Sequence, residues 1–294
     1  AGVASAAPSM AWPREDARDL LAVAASADAE GLKSSHYRVK GIEGPRDDGD
    51  DIEDVASQLF REIANDFSNG RVPLSGRTQW RVEKPASDVI DIDALMTAAL
   101  ENHDVAATLK GFLPTHSQYV ALKAALARMP AEDAESRERL TANLERWRWM
   151  PRDLGRDYVF VNIPSQDLVV VRDGVLRDRR RIIFGARRTP TWQFSAMITG
   201  LAFNPTWHVP KSIAANEGLD SMIRRRPAAA AKLGYYFGED GGVRQEPGPK
   251  NPLGRMKLMM PNRFSVFLHD TPTQALFARE TRAFSHGCIR VEGA

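Results

Sequence analysis

A single cysteine, Cys288, stands among 294 residues. It has no partner for an internal disulfide, and a lone thiol cannot build a multi-cysteine zinc or iron–sulfur centre. Two roles remain for it, a small buried apolar side chain or a nucleophile. Long apolar runs are missing too: no stretch reaches 18 residues, so the chain contains no stable membrane span. Neither sign of charge dominates. Forty Lys and Arg against 38 Asp and Glu leave a net charge of +2, which gives no ground for a nucleic-acid partner. With 43% apolar and 27% charged residues, collagen-like, disordered and disulfide-framework classes drop out, and the length suits one large domain or two modest ones.

The chain divides by texture. Residues 1–12 are mostly small and apolar, and Ala4-Ser5-Ala6 has the look of a signal-peptidase site, with no basic or fully apolar region before it. The stretch reads either as the remnant of an export signal or as an alanine-rich leader. Residues 13–150 read as helical. Pro13 suits a first turn, and Leu20, Leu21, Val23 and Ala24 precede a stop at Gly31. Ile52, Val55, Leu59, Phe60, Ile63 and Phe67 fall on one face of a helix closed by Asn69-Gly70. Further helices are predicted over about 91–102, 117–129 and 131–149.

After Met150-Pro151 the pattern turns to strands. Tyr158–Ile163 and Asp167–Arg172 are rich in β-branched residues, and Asp173-Gly174 predicts a hairpin into Val175–Phe184. Strands are also predicted at 196–203, 255–260 and 264–269. Between them, residues 211–232 read as helix and 234–249 accumulate Gly and Pro, which predicts an insertion protruding from the sheet. The fold class is therefore α+β, a helical N-terminal scaffold followed by a mainly β domain over 151–294.

The chemistry concentrates near the C-terminus, in Phe264-Ser-Val-Phe-Leu-His269-Asp-Thr-Pro272 and Ser285-His286-Gly287-Cys288-Ile289-Arg290. A thiol becomes a strong nucleophile as the thiolate, and an adjacent imidazole can take its proton. His286, two residues before Cys288, would share its face in an extended strand. His269 ends a predicted strand nineteen residues earlier, so a returning segment could bring it alongside. Gly287 permits the close backbone approach that an oxyanion hole needs. These neighbours favour the nucleophile over the inert thiol, in an arrangement suited to acyl transfer through a thioester. A metal site of Cys288, His286 and His269 is the weaker reading, and no metal or other cofactor is expected. His36, His103, His116 and His208 lack such context and read as structural or surface residues.

A strand-end His followed by Ser-His-Gly-Cys-Ile-Arg resembles the active-site signature of the L,D-transpeptidase (YkuD) catalytic domain. Further segments are similar to its large periplasmic YcbB-like branch: Asn143–Pro151, Asn204–Pro210, Gln245–Gly254, Leu268–Pro272 and Arg282–Val291. The likeness is strong from about 140 to 291, and the preceding helices look like that branch's scaffold domain. It implies Cys288 as nucleophile, His269 as general base, Gly287 and Cys288 N–H groups facing the oxyanion, and His286 lining the site. Arg290 would meet a substrate carboxylate, with Ser285, Trp207 and Asn204 as further substrate-binding candidates; Trp207 reads equally as a core aromatic. Asp270 is not taken as a third catalytic member, because in the family the His ring is held by a backbone carbonyl. The insertion at 211–250 would be a capping subdomain over the groove.

The resemblance further implies a periplasmic, exported enzyme forming 3–3 crosslinks from tetrapeptide donor stems of peptidoglycan and an amine acceptor, with carbapenems as acylating inhibitors. An L,D-carboxypeptidase or amidase using water, and a non-catalytic wall-binding scaffold protein, stand as alternatives. The basic runs 177–181 and 224–226 read as solvated faces or as attractors of the anionic wall polymer. The branch's small peptidoglycan-binding unit is not recognisable between Ala127 and Leu144. The segments that follow the cysteine motif in the family are also lacking, so the chain is expected to be truncated at its C-terminus.

Overall fold

The computed structural model describes residues 11–38 and 50–294, apart from the side chains of 50–52. Ala4-Ser5-Ala6 and the side chain of Ile52 thus lie outside the described residues. Two compact units are present: residues 1–78 with 82–153, and residues 79–81 with 154–294.

The first unit holds α1 (Arg14–Ala25), α2 (Asp50–Asn69), α3 (Ile92–Asn102), α4 (Val105–Gly111), α5 (Ser117–Arg128) and α6 (Ala134–Trp149). Asp91 and Asp133 start α3 and α6 by accepting the Ala94 and Ser136 N–H groups, each at 3.0 Å, which satisfies donors left over in a first turn. On α2 the stripe Leu59, Phe60, Ile63 and Phe67 is buried, in a core that also takes in Leu20, Val23 and Leu144. Helix α4 was not expected from the sequence. Seven residues are too few for a period to declare itself, although Val105 and Leu109 are fully buried.

The end of α6 is held by charge. Arg148 has no solvent exposure; its guanidinium donates to the Tyr119 hydroxyl at 3.1 Å and the Glu30 carbonyl, and reaches Glu145 at 3.4 Å. Glu145 also accepts from the Val72 N–H at 2.8 Å and the Trp149 indole at 3.0 Å. Gly70, at φ 77°, leaves room for this carboxylate, because a Cβ there would stand 2.4 Å from its Oε1.

In the second unit the strands are β1 (Trp80–Arg81), β2 (Tyr158–Asn162), β3 (Asp167–Arg172), β4 (Val175–Gly185), β5 (Gln193–Phe194), β6 (Gly200–Phe203), β7 (Trp207–His208), β8 (Tyr235–Phe237), β9 (Val243–Gln245), β10 (Met256–Met259), β11 (Leu268–His269), β12 (Ala283–Ser285) and β13 (Ile289–Val291). The main sheet runs β2-β3-β4-β13-β11-β10-β6, with β12 also paired to β4. Asp173 and Gly174, at φ 53° and 73°, make the turn predicted between β3 and β4. Leu168, Ile182, Met260, Leu268, Ile289 and Val291 form the core on one face.

The insertion has its own small core of Val209, Ala214, Leu219 and Val243, built from the sheet β7-β9-β8 and α7 (Lys211–Asn216), α8 (Leu219–Arg225) and α9 (Pro227–Lys232). The single helix expected over 211–232 is broken twice. Gly218 turns left-handed at φ 63°, and Pro227 begins a new helix, since its ring cannot continue the old one. The strand expected over 264–269 also shortens to its last two residues. Ser265 sits at φ 54°, and the Asn262 side chain accepts from the Phe264 and Val266 N–H groups at 3.0 and 3.2 Å, folding the segment into a loop.

Because buried Arg148 is paired with the Glu145 carboxylate, Arg148→Met is expected to lower unfolding free energy by about 3 kcal/mol through the carboxylate it strands. Urea denaturation of the two proteins measures the difference.

Candidate active site

Three neighbouring strands assemble the site. β11 pairs in parallel with β13, placing His269 opposite Arg290, and antiparallel with β10, placing His269 opposite Lys257. Leu268 and Ile289 point into the core, with Leu258 packed against it, so alternation sends Lys257, His269 and Arg290 to the other face. Cys288 lies at the entry to β13, and the Ile289 N–H donating to the Phe267 carbonyl at 2.9 Å extends the ladder beside it. Cys288 thus stands just before the strand that neighbours His269.

The imidazole of His269 is buried, and its Nδ1 meets the Asp270 carbonyl oxygen at 2.5 Å. That bond makes Nδ1 the donor and leaves Nε2 a lone pair. The Asp270 carboxylate is turned away, accepting from the Arg255 N–H at 2.8 Å and from Gln274 at 3.3 Å. Gly254 permits this, because a Cβ there would meet that carboxylate at 2.3 Å. Burial first, and then the positive charges of Arg290 and Lys257, push the His269 pKa down to about 4, against the Asp270 carbonyl bond, which raises it.

Half-buried Cys288 is pushed the other way. Desolvation raises its thiol, while a hydrogen bond from the Phe267 backbone and the charges of Lys257 and Arg290 pull it down. At neutral pH the resting pair is therefore a neutral imidazole and a thiol, not the ion pair that a His-activated cysteine can form. The thiol also reaches the Ser265 carbonyl at 3.6 Å, and no hydrogen bond joins it to His269 among the described residues.

The loop that carries Cys288 is braced from both sides. Ser285 is buried, its hydroxyl donating to the Cys288 carbonyl at 2.5 Å and accepting the Gly287 N–H at 3.0 Å. Two expectations change here. The Ser285 hydroxyl and the Gly287 N–H are both engaged within the loop, so neither is free to meet a substrate group. Gly287 adopts φ 116°, a conformation that favours glycine. Residues 286–288 connect β12 to β13 and are not extended strand, so the shared face expected for His286 and Cys288 does not arise; His286 is exposed.

Trp207 packs against the insertion's core, the aromatic-core alternative of its two readings. Asn204 is an exposed residue at φ 48° beside β6. Among the described residues no group of three or more His, Cys, Asp or Glu could hold a metal ion. Sequence reasoning missed Lys257 and Thr191. The Thr191 hydroxyl accepts the Gly185 N–H at 2.9 Å and donates to the Gly287 carbonyl at 2.8 Å. Only strand register could have revealed Lys257.

Cys288 and His269 thus meet at the ends of adjacent strands, with Lys257 and Arg290 beside His269. Residues 156–294 match the family model of YkuD, L,D-transpeptidase catalytic domain, and residues 7–126 match that of the Scaffold domain. The C-terminal part of the chain is thus similar to the YkuD L,D-transpeptidase catalytic domain. A curated Haemophilus influenzae protein named "Putative L,D-transpeptidase" is 29% identical over 255 residues, covering 74% of this chain. The chain spans about half the length of that relative, 48%.

Among solved structures, the ertapenem-acylated catalytic domain of the E. faecium L,D-transpeptidase is 16% identical with a TM-score of 0.28, covering 48% of this chain and 84% of its own. The Ldtfm-avibactam carbamoyl enzyme is 13% identical with a TM-score of 0.31, covering 82% and 90%. At these values no residue correspondence is drawn from either. No helix among the described residues is long and apolar enough to cross a membrane.

Folding lowers the proton affinity of His269, so the unfolded chain takes up the proton first as pH falls below about 6.5. The stability carried by the neutral imidazole is complete above that pH and is lost progressively until the folded group titrates near 4. The expected loss is about 3 kcal/mol between pH 7 and pH 4. Denaturation midpoints across this window, for the native chain and for His269→Gln, measure it: the substitution is expected to flatten the slope.

Proposed function

We propose that this chain is an exported L,D-transpeptidase of the periplasm, acting on peptidoglycan stem peptides through a thioester on Cys288. The observation that carries this reading is the imidazole of His269, fixed through Nδ1 to the Asp270 carbonyl with Nε2 left available, one strand away from the chain's single thiol.

In this mechanism the Cys288 proton passes to Nε2 of His269 as the sulfur attacks the carbonyl of the L-centre to D-centre bond in a tetrapeptide donor. Transfer from a raised thiol to a lowered imidazole is uphill in the resting site, so it accompanies attack instead of preceding it. The positive charges of Lys257 and Arg290 offset part of that cost by favouring the sulfur's negative charge. The tetrahedral oxyanion takes the Cys288 N–H. Its collapse breaks the peptide C–N bond, and the imidazolium returns the proton to the departing D-Ala amine. An acceptor amine, the side-chain amine of diaminopimelate, then attacks the thioester, gives its proton to His269 and forms the 3–3 crosslink while the thiol is restored.

Carbapenems would acylate the same sulfur by opening the lactam. The insertion, with its separate core and its breaks at Gly218 and Pro227, suits a cap that orders over acylated Cys288, and hydrogen exchange in residues 211–250 is expected to slow on acylation. Intact-mass spectrometry after incubation with a carbapenem, and with a disaccharide tetrapeptide plus an amine acceptor, tests the reading. One adduct per chain is expected, none on Cys288→Ala, and an acylation rate about 100-fold or more lower for His269→Gln. An adduct surviving in Cys288→Ala contradicts it.

A further inference from the structure

Lys257 and Arg290 are the unexplained charges of the site. Both are half-buried and face the same side of the sheet, one on each flank of His269. Burial lowers both pKa values, and the anion that opposes this for each is ionised Cys288. Three basic side chains of β4 are matched by acids: Arg179 with Asp167, Arg180 with Asp178, Arg181 with Glu292. Lys257 and Arg290 form no ion pair among the described residues. The Lys257 ammonium instead stands 3.5 Å from the Phe267 ring centroid, an aromatic partner that supplies no net charge. Asp270, which follows His269, spends its carboxylate on the Arg255 N–H and Gln274, and Glu292 is paired with Arg181.

The charge balance has one direction. Two half-buried cations flank a neutral imidazole and a protonated thiol; even after the sulfur ionises, one positive charge is unmatched, and the proton it gave to His269 adds another. A site built this way is completed by an anion from the substrate, since a desolvated cation without a counter-charge is costly.

Resting on the proposed acyl transfer, we propose that Lys257 and Arg290 together form a carboxylate subsite for the donor stem, with Lys257 a specificity-determining residue. The occupant is a free carboxylate carried by the residue being acylated or by the leaving residue. Two groups of the donor meet that description, the C-terminal carboxylate of the leaving residue and the side-chain carboxylate of the residue being acylated. Arg290 would bind it in a fork and Lys257 as a point charge from the opposite strand.

The test uses equilibrium binding, which does not depend on turnover. Cys288→Ala and Cys288→Ala/Lys257→Met are titrated calorimetrically with three disaccharide tetrapeptides: the free acid, its C-terminal carboxamide and its side-chain carboxamide. The free acid is expected to bind Cys288→Ala about 10- to 100-fold more tightly than one of the carboxamides. Which carboxamide binds weakly identifies the carboxylate. Lys257→Met should erase that preference and Lys257→Arg should restore most of it, circular dichroism confirming that each variant is folded. Equal affinity for all three donors, no binding of any, or a loss on Lys257→Met common to all three would overturn the subsite. The carbapenem adduct on the native chain reads the acyl-transfer proposal separately: its presence with no donor discrimination discards the subsite alone.

Discussion

The parallel pairing of β11 with β13 is the constraint on which the site depends. Leu268 against Ile289 seats both strands in the core, and because side chains alternate, burying those two residues puts His269 and Arg290 on the opposite face together with the residue entering β13. A slip of one residue would send His269 into the apolar core and Leu268 into the site. The chemistry is therefore specified by hydrophobic burial on the far side of the sheet, and the polar residues inherit their places from it.

Around this pairing the chain spends its polar groups on holding two short segments still. Asp270 fixes the imidazole with its backbone carbonyl while its carboxylate secures the turn after Gly254. Ser285 and Thr191 hold residues 286–288 from opposite sides. None of these groups needs to touch a substrate to matter. They set the direction of a ring and a sulfur whose bonds must line up within a fraction of an ångström when a carbonyl arrives. In the helical unit the buried Arg148 plays a comparable part, fastening the end of α6 to Glu145, Tyr119 and the Glu30 carbonyl.

Much of this was legible before any coordinates. The stripe of α2, the Asp173-Gly174 hairpin and the spacing from His269 to Cys288 are local signals, and each rests on a period or a turn chemistry that a few residues declare. What was not legible is non-local. Lys257 lies twelve residues before His269, and nothing near it in sequence announces the strand register that sets them side by side. Asn262 hides a loop inside an apparently continuous β run by satisfying its backbone with a side chain. Ser285 looks like a substrate contact from its neighbours, yet its hydroxyl is consumed by the loop. The protonation states were misleading for a related reason. Proximity of His and Cys suggests an ion pair, whereas burial of both groups favours the neutral pair, a balance that depends on what packs above and beside them.

The central claim, that a neutral His269 takes the Cys288 proton during attack, is tested most directly by the pH dependence of single-turnover carbapenem acylation. The account predicts a rate that rises through a group titrating near 4 and stays level to about pH 8, whereas His269→Gln rises steadily with hydroxide because only the spontaneous thiolate reacts. Superimposable profiles for the two proteins, or a thiolate absorbance already present in the native chain at pH 5, would contradict it.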